Sequence, residues 1–418
     1  METKLIGLLG LVAFVGLAWW LSAHRRLFPW RTVLWGMGLQ FILGLLILKT
    51  PWGRALFAFA GRAINKLVGF ANEGCRFVFG PLASESLMSQ PFGPQNALVL
   101  GITLTGTIIL VSALSSLLYH WGVLQRVVRA MAWIMRQALR TSGGETLSAA
   151  ANIFMGQTEA PLLIKPYLPR MTRSELLCLM TGGMATLAGG VAAVYVAMAT
   201  QAGHADFAGH LLTASVMNAP AALLMSKILL PETETSETAA CCPATVPRSS
   251  ANEIDALCRG ASEGLFLCLN VVAMLIAFVA IVALANFLFG EAQALAGIAS
   301  PATLQEVVGW VNAPVAWLMG VPARDCVEVG QVLGERIVLN EFIGYYSLNQ
   351  MNLDPRSYHL AIYALCGFAN FGSIAIQVGG IGSLAPERRG DLARLGFRAM
   401  LAGLLACYSS AAIAGLLL

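Results

Sequence analysis

The feature that most constrains this chain is a recurring run of about 16 to 24 residues that is almost wholly apolar, too long and too uniform for an ordinary soluble core. A bilayer core about 30 Å thick takes about 20 such residues as a helix, whereas a spanning strand would alternate polar with apolar. The runs do not alternate, so the fold class is an all-α integral membrane protein. They fall at 5–22, 33–48, 97–119, 176–199, 211–230, 265–288, 359–378 and 399–418, about eight transmembrane helices. Composition agrees: of 418 residues 57% are hydrophobic and 11% charged, against roughly 25% charge in a soluble domain. A net charge of +4 is too small and too scattered for a nucleic-acid footprint, so the bilayer is the expected partner and nucleic acid is not.

The first run is longer than the core of a signal peptide, and its basic cluster, His24, Arg25, Arg26 and Arg31, follows it. It reads as a span that starts outside the cytoplasm. The loops at 23–32, 120–175 and 379–398 are then cytoplasmic and rich in Arg and Lys, while 200–208 and 289–312 lie outside and carry neither. The segment 49–95 is assigned outside yet holds Arg54, Arg62, Lys66 and Arg76; apolar residues recur between them at helical spacing, which predicts an amphipathic helix. A second basic amphipathic helix, at the interface, is expected within 123–145. The nine cysteines contain no CxxC pair and suggest neither a disulfide framework nor zinc. Segment 231–264, with Glu232, Glu234 and Glu237 among Ser and Thr, reads as a flexible connector that halves the chain.

Two apolar segments are interrupted by charge and helix breakers: 149–167 by GQTEAP at 156–161, and 313–348 by GVPARD at 320–325 and then LNEFIGY at 339–345. Irregular backbone at membrane depth survives only where protein or a watery cavity surrounds it. Both read as re-entrant hairpins, the first with GQTE at its tip, the second turning near 319–324 with its second arm ending in Asn340 and Glu341. Each is followed by a span with a polar, glycine-containing centre, at 181–190 and 366–380. An odd number of crossings separates the copies, so they form an inverted repeat, the layout of secondary transporters. The expected organisation is scaffold at 1–122, interfacial helix at 123–145, first hairpin and transport repeat at 146–230, connector at 231–264, scaffold helix and external loop at 265–312, and second hairpin and transport repeat at 313–418.

A carboxylate at membrane depth costs roughly 2.5 kcal/mol or more, so Glu159 and Glu341, one per hairpin, are functional candidates. Gln157 and Thr158 add amide and hydroxyl groups that suit an uncharged, hydrogen-bonding solute such as a nucleobase. No cluster of Arg or Lys accompanies them, which argues against a phosphate or carboxylate; Arg324 and Arg336 at hairpin ends read as snorkelling or capping groups. Asn370 and Ser373 are three apart on one helix face, with Phe368 nearby, a pairing that fits a ribose under a ring. Asn152 and Thr186 offer side-chain oxygens, and Met155 and Leu187 backbone carbonyls, to a hard cation such as sodium.

At these residues the sequence resembles the concentrative nucleoside transporter family, through GQTEAPL at 156–162, NEF at 340–342, GFANFGSI at 367–374 and the NEG and FVFG elements at 72–80. The resemblance implies a homotrimer whose protomers each bind a nucleoside between hairpins and broken spans and move it by an elevator-like shift. It assigns Gln157, Thr158 and Glu159 to the base, with Val191 packing on it, and Glu341, Asn370 and Ser373 to the ribose beside Phe368. It assigns Asn152, Met155, Thr186 and Leu187 to a sodium ion, the coupling ion. Animal members carry further N-terminal helices, so the expected form is bacterial and the expected location the inner membrane, as a multi-pass protein. The function read from all this is sodium-driven nucleoside import, of uridine-like and also purine nucleosides, with proton coupling through Glu159 or Glu341 as the alternative. No HExxH stretch or Ser and His pair in the spans supports an intramembrane hydrolase, so no enzyme is expected; a channel would dissipate a gradient rather than build one.

Overall fold

The computed structural model describes residues 2–84, 87–88, 100–139, 141–204, 206–238, 250–298 and 302–418, and these are almost all helical. Helices α1 (Glu2–Trp20) and α2 (Trp30–Lys49) are the first two expected spans. Thr50 caps the next helix by accepting from Gly53 N, and Pro51 occupies its first turn, where a missing N–H costs nothing. That helix, α3 (Pro51–Phe79), is the amphipathic helix expected in 49–95; it packs along α4 (Leu100–His120), while Trp52 and Phe77 stand exposed on its outer side. The start of the span expected at 97–119 lies outside the described residues. Helix α5 (Val123–Leu139) is the basic amphipathic helix, turned 76° from α4.

The first broken segment is α6 (Gly143–Asn152), a turn through GQTE, and a 3-10 stretch (Ala160–Arg170) that packs back on α6. Reciprocal side-chain caps start its flanking helices: Ser142 with Glu145, and Thr172 with Glu175. Next come α7 (Arg173–Ala185), a break at 186–188, and α8 (Gly189–Gln201), then α9 (Phe207–Leu229). After α10 (Glu253–Leu295) and α11 (Leu304–Leu318) the order recurs: α12 (Cys326–Val338), a short break, α13 (Glu341–Leu348), α14 (Pro355–Leu365), a break at 366–370, α15 (Phe371–Leu384) and α16 (Arg389–Leu417).

Two expectations change. The turn near 319–324 is present, but it joins two full helices, α11 and α12, that lie along each other, and the first of them begins at Leu304 rather than 313. The counterpart of the GQTE turn is the break at 339–340, which puts Glu341 at a hairpin tip instead of an arm's end. Segment 231–264 is also not one connector. Glu232 accepts from Thr172 Oγ1 at 2.8 Å and pairs with Lys227, Thr238 is buried over the start of α6, and residues from Glu253 onward belong to α10. Residues 239–249, with Cys241 and Cys242, lie outside the described set.

Burial sorts the helices. Only 28% of the apolar window in α1 or α2 is buried, against 89% in α9 and α16. Helices apolar all round belong at the centre of a bundle, and α9 and α16 are its inner posts, against which both broken spans pack.

Candidate functional site

The breaks exist because each half-helix needs its own ends satisfied, and the residues expected as ligands do part of that work. Asn370 caps α15: its Oδ1 accepts from Ser373 N at 2.8 Å, so the spacing of three that suggested a shared helix face is a capping spacing. Its amide is thereby aimed back at the second hairpin, where Nδ2 donates to Glu341 Oε2 at 2.9 Å. Asn340 caps α13 in the same way, accepting from Ile343 N at 3.0 Å.

Glu341 is 5% exposed. Its second oxygen accepts from Tyr195 of α8 at 2.9 Å, and the Tyr195 ring is held between Phe342 and Tyr345 of α13. From Asn370 the chain of contacts continues into the first repeat. Gln157 Nε2 donates to Ser373 Oγ at 3.3 Å, Gln377 Nε2 donates to Gln157 Oε1 at 3.0 Å, and the same Gln377 amide reaches Met180 O at 3.0 Å. Six side chains, Tyr195, Glu341, Asn370, Ser373, Gln157 and Gln377, thus form one neutral-to-acidic polar network across both repeats.

Close approach is what allows it. A Cβ on Gly183 would lie 2.8 Å from both Gln157 Cβ and Gln377 Nε2, and one on Gly380 would lie 2.8 Å from Thr158 Cγ2. Thr158 and Glu159 are exposed, and Glu159 Oε2 accepts from Gly156 N at 3.1 Å, closing its own turn. Val191 and Phe368 are half-buried. An apolar cavity of about 190 Å³ bounded by Ile153, Phe154 and Leu187 lies beside the first turn, and the polar network does not line it.

The cation candidates also converge. Asn152 is 1% exposed, donates to Ser148 O at 3.0 Å, and lies against Gly182 of α7; its Oδ1 has no partner. Gly189 N donates to Phe154 O at 3.2 Å, tying the turn to the α7–α8 break. Met155, Thr186 and Leu187 are all buried, and Thr186 Oγ1 donates to Gly182 O at 2.9 Å with its lone pairs left over. A buried amide oxygen without a partner beside a helix end is the donor set a hard cation takes.

Residues 9–82 and 210–415 match models of the N-terminus and the C-terminus of the Na+ dependent nucleoside transporter, and residues 101–202 match a separate nucleoside recognition model, Gate. The chain belongs to the concentrative nucleoside transporter family. It is 41% identical to the uncharacterized transporter YutK of Bacillus subtilis over 98% of both chains. It is 38% identical to rat sodium/nucleoside cotransporter 1, covering 99% of this chain and 64% of that one. Among solved structures of this family, CNTnw in an inward-facing substrate-bound state matches at 38% identity with a TM-score of 0.92, covering 99% of this chain and 98% of that one. A doubly substituted CNTnw in an outward-facing state matches at 38% identity and 0.93, covering 100% and 98%. The chain is therefore a membrane transporter of a nucleoside-transporting family, not an enzyme.

Sequence reasoning missed Tyr195 and Gln377. Each stands four residues after an expected ligand, Val191 and Ser373, so helical spacing carried the signal. Of the two readings of Arg336, capping holds and snorkelling does not: it is fully buried in α12, and its Nη1 donates to Ala364 O at the end of α14. Arg324 is exposed and pairs with Asp354 at 2.8 Å.

Proposed function

We propose that this protein is a sodium-coupled symporter that imports nucleosides, uridine-like and purine, across a bacterial inner membrane as a homotrimer. The observation that carries the reading is the network linking Gln157 of the first hairpin to Glu341 of the second: amides, hydroxyls and one carboxylate, with no Lys or Arg among them. Such a set suits an uncharged solute with many hydroxyl and ring-nitrogen groups. Glu341, Asn370 and Ser373 would take the ribose hydroxyls beside Phe368, exchanging bonds they now make with one another and with Tyr195. Gln157, Thr158 and Glu159 would read the base, against Val191.

The residues at the first break fit sodium, because Asn152 Oδ1 is buried without a partner. Asn152 and Thr186 would hold the ion by side chain, and Met155 and Leu187 by carbonyl; bound there, the ion supplies the electrochemical driving force. Because Gly189 N bonds Phe154 O between the two cation ligand pairs, the turn carrying Gln157 is ordered by the same contacts that shape the ion site, which couples the two. An elevator-like shift of the hairpins and broken spans as one re-entrant unit would carry both across.

Uridine uptake into proteoliposomes, with a sodium gradient imposed at equal pH on both sides, tests this. Accumulation above the external concentration is expected. Uptake that ignores sodium and follows a pH gradient would replace it by proton coupling, and equilibration without accumulation by a channel.

A further inference from the structure

Where α9 begins, two helices from the two halves of the chain present matching pairs of side chains. Asp206 and His210 stand one turn apart at the start of α9, and His359 and Tyr363 one turn apart on α14. His359 Nε2 lies 2.8 Å from Asp206 Oδ2, and His210 Nε2 lies 3.8 Å from the same oxygen. The two imidazole rings stack with their centroids 4.1 Å apart. One ligand atom from each of Asp206, His210 and His359 thus falls within 4.8 Å of the others. Neither the polar network nor the sodium candidates include any of the three.

Three details separate this cluster from an ordinary surface ion pair. Asp206 immediately precedes α9, where an aspartate ordinarily accepts from the first N–H groups of the helix, yet it makes no such cap and its carboxylate faces the imidazoles. The side chains of His210 and His359 are only 14% and 20% exposed, whereas Asp206 at 59% keeps the cluster open to solvent. The second ring nitrogen of His210, Nδ1, lies 3.3 Å from the hydroxyl of Tyr363, itself wholly buried. A ring fixed through one nitrogen presents the other in a set direction, as metal-bound histidines do. A proton on His359 accounts for that ring alone and leaves His210 Nε2, at 3.8 Å, without a hydrogen bond to the carboxylate. A divalent ion of the zinc class uses all three groups: two imidazole nitrogens and a carboxylate oxygen, each at about 2.0 to 2.2 Å, with a fourth position left to water. Ligand atoms of such a tetrahedron stand about 3.3 to 3.5 Å apart, between the two spacings to Asp206, so small side-chain rotations complete it. Imidazole nitrogens do not suit a hard ion such as sodium, which separates this site from that of Asn152.

We propose that Asp206, His210 and His359 bind one zinc-class divalent ion that staples α9 to α14, with Tyr363 orienting His210. The same two helices are already tied further along: Asn218, two turns beyond His210, donates to Cys366 O just past the end of α14 at 2.8 Å. The ion fastens the opposite ends of that pair. Because α14 leads through the second break to Asn370, the staple holds the helix from which the break departs. The inference is independent of which cation drives transport.

The test uses the full chain, purified through a tag without histidines, with Cys241, Cys242 and Cys258 replaced by Ser so that these thiols do not compete for metal. After stripping with EDTA, titration with Zn2+ should load one ion per protomer and raise the thermal unfolding midpoint in detergent, because a ligand that binds only the folded state stabilises it; Mg2+ should do neither. Co2+ in its place should show the visible absorption of a tetrahedral nitrogen and oxygen site. Asp206→Asn and His359→Gln, which alter solvent-reached side chains, should each weaken zinc binding more than a hundredfold and cancel the rise in the midpoint. Tyr363→Phe, which removes only the partner of His210 Nδ1, should weaken it about tenfold. Zinc loading that Asp206→Asn and His359→Gln leave unchanged places the ion elsewhere. No zinc-dependent stabilisation of the parent protein reduces the cluster to an ion pair, and either result overturns the proposal. Should Tyr363→Phe not be recovered as folded protein, the two ligand variants decide.

Discussion

At the scale of single residues, the candidate site is a set of groups that cap helices and face a ligand at once. Asn370 uses its carbonyl on Ser373 N and its amide on Glu341, so its orientation is set before any solute arrives. Glu341→Gln should weaken uridine binding by roughly 1.5 to 3 kcal/mol, about ten- to 150-fold, because a charge-assisted acceptor is lost. Unchanged affinity in equilibrium binding would remove Glu341 from the site. Tyr195→Phe takes away one hydroxyl on that carboxylate while leaving the ring between Phe342 and Tyr345. It should cost about 1 kcal/mol, near fivefold in affinity, with thermal stability nearly unchanged. Asn152→Ala removes the unpartnered oxygen and should raise the half-saturating sodium concentration for transport; a constant value would place the cation elsewhere.

At the scale of elements, what matters is how two interrupted helices are held open inside a close-packed bundle. Their freed carbonyls at Ala185 and Cys366 are both satisfied by Asn218, which is wholly buried on α9. Replacing it with Ala leaves the two carbonyls to share the single thiol proton of Cys407, whose Sγ lies 2.9 Å from Cys366 O and 3.6 Å from Ala185 O, so one buried acceptor is stranded. At about 1 to 3 kcal/mol for that acceptor the thermal unfolding midpoint in detergent should drop by a few degrees, with uptake falling in step. A variant as stable as wild type would mean that the carbonyls find other partners. Gly367 has φ of +142°, a conformation open to glycine, and its Cα faces the backbone of Ala185. Here two breaks that look alike in sequence turn out to differ: the first is extended, with Thr186 at φ −122° and ψ 168°, whereas the second needs a glycine.

For the whole molecule, the membrane class, the helical spans and the two broken segments were legible in the sequence, because lipid exposure forces long apolar runs and isolates any charge within them. The same charges imply an orientation with the 231–264 segment inside. In a Cys241→Ser, Cys242→Ser background, Cys258, the exposed one of the described cysteines, should react with a membrane-impermeant maleimide in inside-out but not in right-side-out vesicles. Labelling from the outer face would invert the topology. The pairing of Asn370 with Glu341 and of Gln157 with Ser373 was not legible, since partners 29 and 216 residues apart leave no local pattern. Nor was the length of α10, whose 43 residues continue well beyond an apolar run into polar sequence that a neighbouring helix, α4, supports. Hydropathy and motif alone determined that this chain crosses the membrane in helices, which segments break within it, and which carboxylates are out of place there. Tertiary structure alone decided which side chains complete the network, that Asn218 joins the two breaks, and that Arg336 is buried rather than solvent-facing, because each depends on helix ends brought together by packing from distant parts of the chain.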